Sequence, residues 1–121
     1  MSDEKIYYSP QQTTELTGLS KDTLRYYEKA GILRHIERDT NNYRMYSKED
    51  IDWIILVKYL RGIGIGTAEF IGAQSTSFRK RREYLEVYQV KIEKEIKELH
   101  RIKEIVGEKI EFLKTREDEE L

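Results

Sequence analysis

One short stretch, Ser20-Lys21-Asp22-Thr23-Leu24-Arg25-Tyr26-Tyr27-Glu28-Lys29-Ala30-Gly31, gathers side chains suited to gripping a polyanion and reading a hydrogen-bonding edge. An Arg guanidinium offers two parallel N–H donors that match the major-groove edge of guanine, and Tyr or Ser hydroxyls suit phosphate oxygens. If the stretch is helical, Thr23 and Tyr26 lie three apart on one face with Arg25 beside them, whereas Leu24, Tyr27 and the following Ile32 can turn into a core. Taken alone, the same segment also fits a solvated amphipathic helix with core aromatics. The elements around it must decide.

Other chemistries find little support. The chain has no cysteine, which excludes disulfides, thiolate metal sites and thiol redox sensing. His35 and His100 are far apart and lack carboxylate or thiolate neighbours at ligand spacing, so neither a metal site nor a cofactor is expected. No nucleophile–base pair, phosphate loop or carboxylate dyad stands out, and an enzyme is not expected. The apolar run Ile51 to Leu60 is interrupted by Asp52 and Lys58 and is too short to span a bilayer. With no signal-peptide pattern at the start, the expectation is a soluble, cytoplasmic protein.

The elements that would position the basic stretch can be read from local signals. Ser9 followed by Pro10 predicts a helix start, and Gly18 predicts its end near Thr17. Ser20 then caps a second helix through about Lys29, closed by Gly31. Helix, short Gly-containing turn, helix is the spacing of a helix-turn-helix. Leu33-Arg34-His35-Ile36 and Tyr43-Arg44-Met45-Tyr46 flank the polar turn Arg38-Asp39-Thr40-Asn41-Asn42 and predict a β-hairpin, a wing. Ser47 with Asp50 three residues on predicts a capped helix carrying Ile51, Ile54, Ile55, Leu56, Tyr59 and Leu60. Gly62, Gly64 and Gly66 end it, and a short helix from about Thr67 to Ala73 follows.

The last third differs in kind. Leu85, Tyr88, Ile92, Ile96, Leu99, Ile102, Val106, Ile110 and Leu113 recur at intervals of three and four, and Glu, Lys, Arg and Gln fill most of the places between. One long helix with a coiled-coil stripe is predicted, and such a stripe needs a partner helix. Composition agrees: of 121 residues, 37% are charged and 38% hydrophobic, too polar for one compact globule and suited to an oligomer. The net charge of -1 hides local bias, since Lys21, Arg25, Lys29, Arg34, Arg38 and Arg44 outnumber the acids between Ser20 and Tyr46. Arg79-Lys80-Arg81-Arg82 is purely basic and fits either added attraction to DNA or a solvated, ion-paired face.

These motifs, in this order, resemble the MerR family of bacterial regulators. The resemblance is carried by Thr23-Leu24-Arg25-Tyr26-Tyr27-Glu28, by Gly31-Ile32-Leu33, by Tyr43-Arg44-Met45-Tyr46-Ser47-Lys48-Glu49-Asp50 and by Tyr59-Leu60-Arg61-Gly62-Ile63-Gly64. It covers about residues 6 to 114. It implies a mainly α fold: a winged helix-turn-helix domain over residues 5–75, a long antiparallel coiled-coil dimerisation helix over 76–114, and an acidic, disordered tail over 115–121.

The resemblance also implies a homodimer that binds a palindromic promoter operator in double-stranded DNA and controls transcription by distorting it, with RNA polymerase as a partner at the promoter. Ser20, Lys21, Thr23, Arg25 and Tyr26 would meet DNA from the recognition helix, and Tyr43, Arg44 and Tyr46 from the wing or its base. Tyr46 closes the hairpin and suits a core position equally well. Lys58 and Arg61 are candidates for phosphate contacts, Trp53 for the core or the edge of an effector pocket, and Tyr84 and Tyr88 for packing or ligand contact. Metal- and redox-sensing relatives use cysteines, absent here, so the chain resembles a compact, cysteine-free branch of the family that senses either a small organic molecule or nothing at all. A protein-interaction adaptor built on the coiled coil and a non-specific architectural DNA binder are the competing readings.

Overall fold

Three serines start three helices in the computed structural model, which describes residues 6–120. Strand β1 (Tyr7–Tyr8) leads into helix α1 (Pro10–Thr17) through Ser9. Ser9 Oγ accepts from the Gln12 amide, and the Gln12 side chain accepts in return from the Ser9 amide, so two otherwise unsatisfied donors are paired. Gly18, at φ 73°, ends α1 in a left-handed turn that an L side chain rarely adopts. Helix α2 (Lys21–Lys29) starts at Ser20, whose Oγ accepts from the Thr23 amide. Helix α3 (Lys48–Gly62) starts at Ser47, which exchanges hydrogen bonds with Asp50 as Ser9 does with Gln12.

The hairpin is displaced from the expected one. Its strands are β2 (Glu37–Arg38) and β3 (Arg44–Ser47), paired antiparallel with Glu37 opposite Met45. Leu33 and Ile36 are buried, and their amides are already engaged, Leu33 N–H by the Tyr27 carbonyl and Ile36 N–H by Glu28 Oε2. A segment whose donors serve the end of α2 cannot also pair as a strand. The turn is built on Asp39, whose Oδ1 accepts from the amides of Asn41 and Tyr43, while Asn42 takes φ 66°. β1 adds to the other edge of β3, giving the order β1-β3-β2. Two residues are too few to announce a strand by alternation. The short helix expected from Thr67 to Ala73 is two 3-10 turns, Thr67–Phe70 and Ala73–Ser75.

Leu24, Tyr27, Ile32, Leu33, Ile36, Tyr46, Ile51, Ile54, Val57, Leu60 and Phe70 form the core of this first unit. Each large apolar side chain buried there contributes about 1.5–3 kcal/mol relative to exposure. Trp53 belongs with them: its Nε1 donates to the Ile32 carbonyl at 2.9 Å and its ring meets Phe70 edge-on. Asp50 is fully buried in a polar knot. It receives Arg34 through two bonds of 2.8 Å, the Ser47 amide and Gln74 Nε2, and Gln74 Oε1 accepts from the Arg34 amide. Burial pushes its carboxyl up, but the Arg34, Ser47 and Gln74 donors outweigh that and hold it below the usual carboxylate range.

The chain divides at Ser77/Phe78. The second unit is helix α4 (Phe78–Arg116), 39 residues or about 58 Å at ~1.5 Å rise per residue. Its stripe residues Ile96, Leu99, Ile102, Val106, Ile110 and Leu113 are about half exposed. Of the tail expected over 115–121, residues 115 and 116 continue α4 and Glu117–Glu120 form a 3-10 turn, with Arg116 paired to Glu119; Leu121 lies outside the described residues. Tyr84 and Tyr88 meet edge to face within α4. Among the described residues, no helix is long and apolar enough to cross a membrane.

Candidate nucleic-acid interface

Helix α2 separates its duties by face. Leu24 and Tyr27 point into the core at 1% and 2% exposure, whereas Lys21, Asp22, Arg25 and Tyr26 face outward. Ser20 and Thr23 sit at the amino end, their hydroxyls 2.9 Å apart, with Thr23 half-buried. Arg25 Nη1 rests on Asp22 Oδ1 at 3.1 Å, both side chains largely in solvent. A pair this exposed is worth little, so the guanidinium can exchange it for a nucleic-acid acceptor at small cost.

The wing is tied to α2 by one carboxylate. Glu28 Oε1 accepts from Arg44 Nε at 2.8 Å, Oε2 accepts from the Ile36 amide at 2.8 Å, and His35 Nδ1 lies 3.6 Å away. Burial raises the Glu28 carboxyl, but the Arg44 and Ile36 donors prevail and hold it below its ordinary value. Arg44 is thereby fixed at the root of the wing, with 24% of its side chain still exposed. Tyr43 beside it is wide open. Lys21, Tyr43 and Arg44, together with Tyr8 of β1 and Gln11 at the start of α1, line a groove of about 500 Å³.

Two of the expected contact residues are engaged within the fold. Tyr46 is 1% exposed and forms part of the core beneath the hairpin. Lys58 Nζ donates to the Thr17 carbonyl at 2.8 Å, satisfying the carboxyl end of α1 from α3. A Cβ on Gly18 would stand 2.9 Å from that ammonium, so the glycine also makes room for the cap. Arg61, in the last turn of α3, remains exposed. Of the basic run, Arg82 pairs with Glu86 and Arg81 lies over the Phe78 ring, both within α4. Glu28 went unrecognised as the joint between helix and wing, although it stands inside the motif. Its partners, eight and sixteen residues away, follow no helical or strand period.

The family model described as "MerR HTH family regulatory protein" matches residues 8–71, more than half of the chain. The chain belongs to the MerR family of transcriptional regulators. The matched span takes in both faces of α2, the wing and, of the polar knot, Arg34 and Asp50 but not Gln74. A mercuric resistance operon regulatory protein of Bacillus cereus is 30% identical over 95 residues, which cover 74% of this chain and 72% of that protein. The transcriptional regulator AdhR of Bacillus subtilis is 37% identical over 60 residues, 50% of this chain and 43% of AdhR, so against that relative the likeness spans less than half its length. Among solved structures of MerR-family proteins, HiNmlR, "a MerR family regulator lacking the sensor domain, bound to promoter DNA", shares the fold with a TM-score of 0.72 at 23% identity, covering 93% of this chain and 94% of that one. A regulator of the family from Listeria monocytogenes gives a TM-score of 0.71 at 24% identity, covering 85% of this chain and 83% of that one.

Proposed function

We propose that this MerR-family chain acts as a homodimer that binds a near-palindromic promoter operator in double-stranded DNA and regulates transcription by deforming it. The observation that carries the reading is the Glu28 joint, which locks the outward face of α2 and the wing into one surface. Lys21, Arg25 and Tyr26 on the helix and Tyr43 and Arg44 on the wing are the residues assigned to DNA, with Ser20 and Thr23 at the amino end of the helix and Arg61 as a phosphate contact. A recognition helix in the major groove with a wing on the flanking backbone supplies both base reading and phosphate grip.

The half-exposed stripe of α4 supports a dimer, because a lone helix of that length leaves its apolar side in water. Two linked reading heads explain operator palindromy, and their combined phosphate contacts repay a deformation that costs a few kcal/mol. RNA polymerase is the partner that such a deformed promoter serves. An effector, a small organic molecule in this cysteine-free chain, needs only unequal affinity for two dimer geometries to switch it. The test is selection of bound duplexes from a random pool by the purified protein. Enrichment of a palindromic site is expected, and recovery of sequences with no shared pattern would overturn specific regulation.

A further inference from the structure

The segment that leads out of the first unit toward α4 is clipped to the base of the wing. Phe70 is buried and meets Trp53. Beyond it Ile71 and Gly72 are exposed, and Gly72, at φ 77°, turns the chain while its amide donates to the Gly31 carbonyl at 2.8 Å. Gln74 is then held at both ends of its carboxamide. Its Oε1 accepts from the Arg34 amide at 2.6 Å and its Nε2 donates to Asp50 Oδ1 at 2.8 Å. Only a carboxamide of this length does both: Glu would set a second carboxylate against Asp50, Met would leave the Arg34 amide unmet, and Asn is one methylene short. The two partners lie at the two roots of the hairpin, Arg34 in the loop before β2 and Asp50 in the first turn of α3, just after β3. Arg34 also reaches Glu37 of β2 at 3.6 Å, and Glu37 accepts from the Tyr7 hydroxyl of β1 at 2.8 Å. From Gln74 only residues 75–77 precede α4, and the amides of Ser75 and Thr76 fold back onto the Gly72 and Ala73 carbonyls at 3.2 Å each. A stretch this short and turned has little slack.

We propose that Gln74 is a positioning residue for operator deformation: it fixes the point where the chain leaves the reading head relative to the roots of the wing. A dimer joined through α4 then imposes its own half-site spacing on the DNA. The inference rests on the homodimeric, DNA-deforming reading above and names the side chain through which it acts. Two heads bend or untwist a duplex only if the connection between them yields less than the duplex does. Where the connection is slack, each head settles on undeformed DNA and the distortion is never built. Loss of the carboxamide leaves the Arg34–Asp50 pair standing, so stiffness at the exit is separable from the fold of the head.

The test uses the full chain and the operator selected above, prepared as the full site, as one half-site, and as the full site with two base pairs added between the halves. The unmodified protein is expected to bend the full site, read by energy transfer between dyes at the duplex ends. It is also expected to bind the lengthened site at least about tenfold more weakly. Failure to select a palindromic site, or a site left unbent, overturns the deformation reading itself and this inference with it. Gln74→Met is expected to bind the half-site within about twofold of the unmodified protein, to bend the full site less, and to shrink the penalty for added base pairs to within about threefold. Insertion of Gly-Ser-Gly between Thr76 and Ser77 leaves both Gln74 bonds in place and is expected to produce the same loss by adding slack downstream. A Gln74→Met protein that keeps the bend and the spacing penalty overturns the assignment and leaves the regulator reading intact. So does one whose half-site affinity falls together with its melting temperature, since Gln74 would then be part of the frame alone. An insertion variant that still bends the site overturns it as well, whatever the stability of Gln74→Met.

Discussion

Arg25 and Glu28 stand three residues apart on α2, yet removing them has different consequences. Arg25 faces solvent, and its pair with Asp22 is an exposed one within its own helix. Arg25→Ala is expected to leave the melting temperature unchanged and weaken operator binding by about 1–3 kcal/mol, measured by titration at fixed salt. Unchanged affinity would remove Arg25 from the interface. Glu28→Ala strands the Ile36 amide and frees Arg44, so it should cost about 1–3 kcal/mol of stability as well as DNA affinity. Lys58 supplies the control for the residues engaged within the fold. If its ammonium caps α1, Lys58→Met lowers the melting temperature while the salt dependence of DNA binding stays as it was. A phosphate contact would instead reduce the slope of log affinity against log salt by about 0.9.

The knot of Arg34, Asp50 and Gln74, which links the loop after α2, the start of α3 and the second 3-10 turn, makes the fold acid-sensitive. Asp50 has a lowered folded-state value, so the stability it contributes is present above the ordinary Asp value of about 3.9 and is lost as pH falls below that toward its folded value. Asp50→Asn removes the buried carboxylate from Arg34, which keeps only Glu37 at 3.6 Å, and should cost about 1–3 kcal/mol at neutral pH, with a flatter unfolding profile between pH 5 and pH 2, values on the order of the Asp titration range. Denaturant melts across that range check both. This knot also marks where sequence reading stops. The caps at Ser9, Ser20 and Ser47 and the turn at Gly18 were legible because a cap or a left-handed turn is encoded within four residues. Arg34 finds Asp50 sixteen residues on and Gln74 forty residues on, with no period to betray it. The wing was legible as a hairpin but not in its strand limits, because apolar Leu33 and Ile36 look like a strand and are core loop. In the proposed interface, the exposure of Lys21, Arg25, Tyr26 and Tyr43 follows from type and face. The burial of Tyr46 and the engagement of Lys58 depended on packing between elements far apart in sequence.

In the proposed dimer, affinity for the operator is a property of two linked heads. A charge in the centre of the seam, Ile102→Asp, is expected to yield monomers whose first unit melts as before but whose affinity for a full operator falls by at least about a hundredfold, toward that for a half-site. Sedimentation and gel-shift titration on full and half operators would show it, and undiminished binding by a monomer would refute the two-headed scheme. The division of labour on α2 has a further consequence for how such a molecule changes over time. The residues that hold the frame, Leu24, Tyr27 and Glu28, alternate with those that face outward, Lys21, Asp22, Arg25 and Tyr26, and the two sets share no side chain. The outward set can therefore be rewritten without disturbing the scaffold, as type is exchanged in a fixed press. Drift toward a new operator can proceed through folded intermediates, and a designer could retarget the chain by grafting four positions.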